Sequence, residues 1–277
     1  MTSNYFSRVG RGLAGQSWAQ LGMARLGEAR RGWAWQGSAW LGRAREPMAQ
    51  ITIKPTGEIG MIKTVDIEIS GTTAILMHWD NIEFSDIMER WKADPKNTKK
   101  SKPGDDRTPP WRWMGCVYHD EQVVTIPSEN IMRCIMEGAA QVPTGKGQKT
   151  FKAQSQSGLL CTEFHWPLMN DGKPIRWADI QACQDLETFA EHVELVRSLG
   201  FDLYVKRAKI GQAKHVRVRP RFERWSISGK IQILDSQITK DVLRNILEIA
   251  GQYKGLCDWR PGSKTPGPFG MFTATVA

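Results

Sequence analysis

The stretch RVRPRFERWSISGKIQILDSQITKDVLRNILEIAGQYKGLCDWRPGSKTPGPFGMF, residues 217–272, decides the assignment of the fold. It begins with charged and apolar residues in alternation, which is typical of a half-buried β-strand. A helix follows, with Thr239 as its expected amino-terminal cap and Gly251 as its expected end. The buried stripe of this helix is predicted to be Val242, Leu243, Ile246, Leu247 and Ala250. A glycine- and proline-rich loop and a last strand complete one half of a ferredoxin-like βαβ arrangement.

Periodicity upstream of this stretch predicts further elements of the same domain. A hairpin that turns near Asp120, together with the helix after it, is expected to supply part of the other βαβ half. In chain order the patterns predict a strand around residues 65–69, a helix over 82–91, the hairpin over 111–127, a helix capped by Ser128, a strand over 159–169, a helix over 185–200 and a long β region over 201–234. The predicted fold class is α+β, with a ferredoxin-like or RRM-like βαβ core, long β-hairpins and flexible insertions.

The first 47 residues form a low-complexity segment in which glycine recurs every five residues from Gly22 to Gly42. A period of five matches neither a helix nor a strand, so we expect this tail to be disordered or weakly helical. It is either a basic, tryptophan-bearing arm that binds nucleic acid or membrane, or a translated tandem repeat upstream of a start at Met48. Residues 48–277 are predicted to form a single α+β domain.

Two polar segments of that domain, residues 92–110 and 142–158, are expected to be mobile loops. The first is rich in lysine and proline and has few apolar residues. It is either a solvated insertion or a basic flap over a ligand.

Charge and cysteine content narrow the class of protein. The chain carries a net charge of +9, but seven arginines and two glutamates lie in the first 47 residues, so the other 230 carry only +4. The sequence has no apolar run long enough for a membrane-spanning helix and lacks a secretory signal, which predicts no membrane partner. Five scattered cysteines without a C-x-x-C pair indicate reduced thiols in the cytoplasm of a bacterial host, and neither a metal site nor a cofactor.

A run of basic residues without an intervening acid is the first candidate site. Its members are Lys206, Arg207, Lys209, Lys214, Arg217, Arg219 and Arg221. The three arginines share one strand face, and because unpaired charges are not buried, they are expected to face solvent or a polyanion. Pro220 lacks a backbone N–H and predicts that this strand lies at an edge or bulge. The run either binds phosphates or protects a solvated strand edge from aggregation.

The glycine- and proline-rich loop after the last helix is the second candidate. Trp259 and Phe269 are predicted to stack on bases, while Arg260 and Lys264 reach phosphates. The alternative is a long connection whose tryptophan packs on the domain.

Catalysis has weaker support in the sequence. No H-E-x-x-H or H-x-H spacing is present, and a lone histidine is more often structural. His215, within the basic run, and His119, beside Asp120, are the candidates for RNA cleavage.

Three patches of the chain resemble the RAMP superfamily, the ferredoxin-fold RNA-binding proteins of CRISPR systems. They are ISGTTAILMH (69–78), IPSENIMRCIMEGA (126–139) and GLCDWRPGSKTPGPFGMF (255–272). The resemblance implies RNA binding, and some members of the superfamily cleave RNA with a histidine, although no catalytic residue carries over to this chain. The whole sequence also resembles bacteriophage or prophage proteins.

The primary hypothesis is therefore a non-enzymatic phage-type protein that binds single-stranded RNA or DNA rather than duplex. A second copy of the chain, in a homo-oligomer, is the other partner considered. A phage structural or assembly protein is one alternative. A RAMP-like, metal-independent endoribonuclease is the other.

Overall fold

The computed structural model describes residues 62–100, 102–210 and 213–277, without the side chains of residues 209, 210, 213 and 214. The glycine-repeat tail lies outside the described residues, and so do the side chains of Lys209 and Lys214. The fold is α+β, as predicted.

The helices and strands of the described part follow one another as an irregular mixture. The strands are β1 (Lys63–Gly71), β2 (Ile75–Leu76), β3 (Thr125–Pro127), β4 (Leu159–Cys161), β5 (His165–Asn170), β6 (Lys173–Pro174), β7 (Asp202–Ile210), β8 (Ala213–Phe222), β9 (Trp225–Ile233) and β10 (Phe272–Val276). The α-helices are α1 (Ile82–Ala93), α2 (Ser128–Ala139), α3 (Lys152–Gly158), α4 (Trp177–Gln181), α5 (Phe189–Ser198) and α6 (Lys240–Ile249). Short 3₁₀-helices span Pro95–Asn97 and Pro110–Cys116.

The larger sheet has the strand order β10-β1-β9-β5-β3, with every neighbouring pair antiparallel. β4 pairs with β9 on the same side of β9 as β5, and β6 pairs with β5. The predicted alternation of β1 is confirmed, because Val65, Ile67 and Ile69 are buried and their neighbours are exposed. Gly229 lies opposite Ile67, and a Cβ there would overlap the buried ring of Trp166.

The smaller sheet has the order β2-β8-β7, and β7 and β8 form a long hairpin. β8 is thus the central strand, while Pro220, predicted at an edge or bulge, pairs with Leu203 of β7 and lies where the pairing with β2 ends. The Met77 N–H donates to the Pro220 carbonyl over 3.1 Å. Proline has no N–H to return that bond, so the pairing with β2 ends at this residue.

Two helices, α2 and α6, contact each other beside the larger sheet, and α6 also contacts β10. The predicted cap of α6 is confirmed, since the Thr239 hydroxyl accepts a hydrogen bond from the Val242 N–H over 3.2 Å. Gly251 does not end this helix, because a π-helical turn carries it on to Gly255, which has φ +69°. Gly251 instead permits close packing, as a Cβ there would overlap the Phe272 carbonyl.

Three other local predictions differ from the structure. Residues 110–116 form a 3₁₀-helix that buries Trp111 and Trp113, and only a narrow turn around Asp120 remains of the expected hairpin. α2 begins at Ser128, but the Ser128 side chain makes no capping bond. The expected strand over 159–169 is interrupted between β4 and β5.

The two predicted loops contain more regular structure than expected. The second ends at Phe151, because residues 152–158 form α3 with a buried Ser155. In the first, Asp106 is buried and its N–H donates to the Val216 carbonyl over 2.9 Å. Residues 104–106 therefore line the edge of β8 beyond the end of β2.

Candidate functional site

One buried carboxylate contacts three arginines beside β8 of the smaller sheet. The Asp106 side chain is 5% exposed and lies 3.2 Å from Arg112 and Arg217 and 3.3 Å from Arg219. The segment that carries Asp106 is held beside β8, because the Val216 N–H donates to the Gly104 carbonyl over 2.8 Å. Two of the predicted phosphate-binding arginines are thus already bound to an acid from a distant loop.

Arg219 is the most buried of these arginines, with 11% of its side chain exposed. Besides Asp106, it contacts Asp258 at 3.3 Å, and Asp258 belongs to the glycine- and proline-rich loop. Its guanidinium also donates to Nε2 of His78 over 3.0 Å. Arg219 therefore links β8, the loop and the segment after β2.

Arg221 also has carboxylate partners, Asp202 at 3.9 Å and Glu223 at 3.3 Å. The expectation that the arginines of β8 face only solvent or a polyanion is therefore revised: acids from other elements neutralise part of their charge. Two carboxylates, Asp106 and Asp258, are shared by the three arginines Arg112, Arg217 and Arg219. The cluster of these five side chains therefore has a net charge of +1.

His78 lies where three clefts meet, and it was not one of the two histidines proposed for RNA cleavage. Its side chain is 49% exposed, with Nδ1 3.7 Å from Asp258. Burial of the ring first, and then the charge of Arg219, lowers the pKa of His78. A guanidinium group only donates, so Nε2 is the acceptor and His78 is neutral near pH 7. The Tyr118 hydroxyl donates to the His78 carbonyl over 3.0 Å and fixes this segment.

We call the three adjoining clefts the His78 groove. The arginine cleft has a volume of about 320 Å³ and includes Asp106, Arg112, Arg217 and Arg219. The loop cleft, of about 140 Å³, includes Tyr118, Asp258 and Arg260. The aromatic cleft, of about 450 Å³, includes Trp79, Tyr118, His119, Phe164 and His165. His78 lines all three.

The predicted stacking residues of the loop come together on β7. Trp259 and Phe269 have ring centroids 5.5 Å apart, and Phe269 lies 5.2 Å from Tyr204. The ammonium group of Lys206 lies 2.8 Å from the centroid of the Trp259 ring, a cation–π contact. Lys206, Trp259 and Phe269 thus form one cluster, in which the aromatic rings also pack on the domain.

Arg260 fastens the loop to α2. Its guanidinium group, 12% exposed, donates to Glu137 over 2.7 and 2.9 Å and to the Lys254 carbonyl over 3.2 Å. Burial opposes ionisation of Glu137, but the hydrogen bonds and charges of Arg260 and Arg133 together outweigh it and lower the pKa of Glu137. The described contacts of Arg260 thus hold the loop in place. Lys264 and Arg207 are exposed.

The two histidines proposed for RNA cleavage, His119 and His215, both have rings that pack against other parts of the fold. His119 stacks on Trp177 with ring centroids 3.8 Å apart, and its Nδ1 accepts from the Glu121 N–H over 3.2 Å. Burial lowers the pKa of His119. Nδ1 of His215 is buried, without a hydrogen-bond partner among the described residues, and its ring lies against Gly104.

Sequence reasoning missed Asp106, Asp258 and His78. The two acids lie 113 and 39 residues from Arg219, so no local pattern relates them to it. His78 carried one signal, its position directly after an apolar strand and before the Asn81 cap of α1.

Among the described residues, no three His, Cys, Asp or Glu side chains are grouped closely enough to hold a metal ion. No helix in residues 62–277, where described, is long and apolar enough to cross a membrane. No protein-family model matches the sequence, and no curated protein is significantly similar to it.

Proposed function

We propose that this chain binds single-stranded nucleic acid, with the phosphates of the strand in the His78 groove. The observation that carries the proposal is the set of three arginines around one buried carboxylate, at the junction of three clefts. Arginine binds phosphate through two parallel hydrogen bonds, and its guanidinium group is weakly hydrated. A phosphate at this position neutralises the positive charge that Asp106 and Asp258 leave.

The order of the larger sheet supports a ferredoxin-like core for this proposal. Such a core contains two βαβ units whose strands interleave in one antiparallel sheet. Here β1, α2 and β5 give one unit, while β9, α6 and β10 give the other, and the strands lie in the order β10-β1-β9-β5. The loop before β10 reaches the groove through Asp258, in keeping with the resemblance to the RAMP superfamily.

Charge on the opposite side of the larger sheet favours the groove over an RRM-like binding face. The shallow cleft on that side is lined by Asp66, Glu68 and Glu163, with Lys230 as its one basic side chain. Carboxylates in such a position repel phosphates. Volumes of about 140 to 450 Å³ in the groove suit single nucleotides rather than a duplex.

Fluorescence anisotropy with labelled 20-nucleotide RNA, DNA and duplex of the same sequence tests the proposal. The full chain is expected to bind the single strands more tightly than the duplex. Replacement of both Arg112 and Arg217 by alanine is expected to weaken binding, while Arg219 stays paired with Asp106. Arg244, an exposed arginine of α6 paired with Asp241, is the matched control. Equal affinities of the double variant and R244A would refute binding in the groove, and the basic tail is identical in both proteins.

His78 favours a second candidate function, metal-independent cleavage of RNA. A neutral imidazole can take the proton of a 2′-hydroxyl, whose oxygen then bonds to the adjacent phosphorus while the bond from phosphorus to the 5′-oxygen breaks. The imidazolium returns the proton, directly or through water, to the leaving 5′-oxygen, and a guanidinium group stabilises the charge that develops on the phosphate. Here the two groups are in contact, 3.0 Å apart. The substrate hydroxyl would take the place of Arg219 at Nε2 while Arg219 turns to the phosphate.

Incubation of labelled RNA and DNA with the protein in EDTA tests this second candidate. Cleavage of RNA alone, with cyclic phosphate ends that are lost in His78→Ala, supports it. Intact RNA after prolonged incubation, or cleavage that persists in the variant, refutes it without affecting the binding proposal.

A further inference from the structure

The aromatic cleft of the His78 groove holds large rings that the fold does not use in its core. Phe164 is 83% exposed between β4 and β5. Trp79, on the segment after β2, is half-buried and packs on Tyr118 and His119 rather than in the buried core. Exposed phenylalanine leaves apolar surface in water, and no folding contact of the described core accounts for its position.

The walls of this cleft are held in place by the backbone and by stacked rings. The Trp79 N–H donates to the Cys116 carbonyl over 3.0 Å, and the Ser128 N–H donates to the Phe164 carbonyl over 2.8 Å. Trp79 meets the His119 ring edge to face at 5.1 Å, and His119 in turn stacks on Trp177. The backbone of both walls and the ring of Trp79 are therefore set before any ligand binds, which lowers the entropy lost on binding.

Polar groups line the rest of the cleft. Ser128 and Asn130 belong to the first turn of α2, and His165 shares a contact of 3.2 Å with the Thr125 hydroxyl. These side chains offer both donors and acceptors, as the edge of a nucleobase requires. A volume of about 450 Å³ accommodates one base with its sugar.

The aromatic cleft is continuous with the arginine cleft through His78, Trp79 and Asp80, which line both. A strand with a phosphate at Arg217 and Arg219 can therefore continue past His78 and Trp79 into the aromatic cleft. We infer that the aromatic cleft is a binding pocket for one unpaired base, which stacks on Phe164 and Trp79. The inference rests on the proposed binding of a single strand and adds a base site apart from Trp259 and Phe269.

Binding of three single-stranded probes to the full chain tests the pocket: an intact oligonucleotide, the same strand with abasic sites, and one with a single 2-aminopurine. Loss of a stacked base lowers affinity by about 5-fold to 150-fold. We expect that loss for the abasic strand, and a loss in the same range for Phe164→Ala with the intact strand. Phe164→Trp is expected to keep the affinity, and the 2-aminopurine fluorescence is expected to be quenched on binding. Tyr253→Ala, which removes another exposed ring, is the matched control.

Equal affinity of the wild type for intact and abasic strands would overturn the pocket and leave the phosphate-binding proposal in place. Equal affinities of Phe164→Ala and Tyr253→Ala for the intact strand would do the same. Failure of every strand to bind would refute the proposed function itself, and the pocket with it. Phe164 is exposed, so its replacement leaves the core unchanged.

Discussion

Replacement of Asp106 by asparagine gives the sharpest test of the arginine cluster. Asparagine has nearly the same shape, so the change removes one negative charge and leaves the backbone contacts with Val216 intact. Three guanidinium groups then face each other without the carboxylate that now joins them. We expect the folded protein to be less stable and the groove to attract phosphate more strongly.

The structure sets the size of the effect. Removal of one partner from a buried ion pair costs about 3–5 kcal/mol. Arg219 keeps Asp258, and Arg112 and Arg217 are about one third exposed and can be hydrated, so the lower end of that range, about 3 kcal/mol, is expected. For a domain of roughly 200 residues this corresponds to a decrease in Tm of about 6–12 °C.

Urea unfolding of Asp106→Asn and wild type, with equal m-values, measures this difference. Asp241→Asn is the control, since Asp241 is exposed on α6, and its replacement is expected to change stability by at most about 1 kcal/mol. A loss of less than 1 kcal/mol for Asp106→Asn would contradict the reasoning. So would weaker binding of single strands by a variant that is still folded.

Three further predictions concern stability. Glu137→Ala leaves the buried guanidinium of Arg260 without a carboxylate, and we expect urea unfolding to show a loss of about 2–4 kcal/mol. Burial lowers the pKa of His192 below its usual value of about 6.5. The unfolded chain therefore binds more protons below pH 6.5, so stability should fall from pH 7 to pH 5, and His192→Gln should reduce that slope in urea titrations. Gly251→Ala would place a methyl group on the Phe272 carbonyl, and a loss of about 1–3 kcal/mol in the same assay is expected, whereas unchanged stability would show that α6 can shift.

Local patterns predicted those elements whose burial repeats along the chain. Val65, Ile67 and Ile69 are buried on one face of β1, and the apolar stripe of α6 is buried on one side of that helix. Because each pattern repeats at a regular interval, the sequence alone identifies both elements. Residues 110–116 have no such period, because Trp111 and Trp113 enter the core from a short 3₁₀-helix. The prediction of a hairpin over residues 111–127 was wrong for that reason.

The candidate site could be predicted only in part. The arginines at alternate positions of β8 were visible as a run, and they do share one face. Their partners were not visible, because Asp106 and Asp258 reach them through tertiary contacts. His78 is a single histidine without a motif, and its position among three clefts depends on the folded arrangement of β2, β8 and the final loop.

Binding in the His78 groove is tested most directly by the salt dependence of single-strand affinity in wild type, the Arg112→Ala/Arg217→Ala double variant and Arg244→Ala. Each phosphate contact with a single strand contributes about −0.7 to the slope of log Kobs against log salt. Binding in the groove predicts that the double variant loses the one phosphate contact at the arginine cluster, so that its slope is less negative than that of wild type by about 0.7, and that the slope of Arg244→Ala is unchanged. Equal slopes for all three proteins, or no binding of any single strand at 50 mM salt, would contradict it.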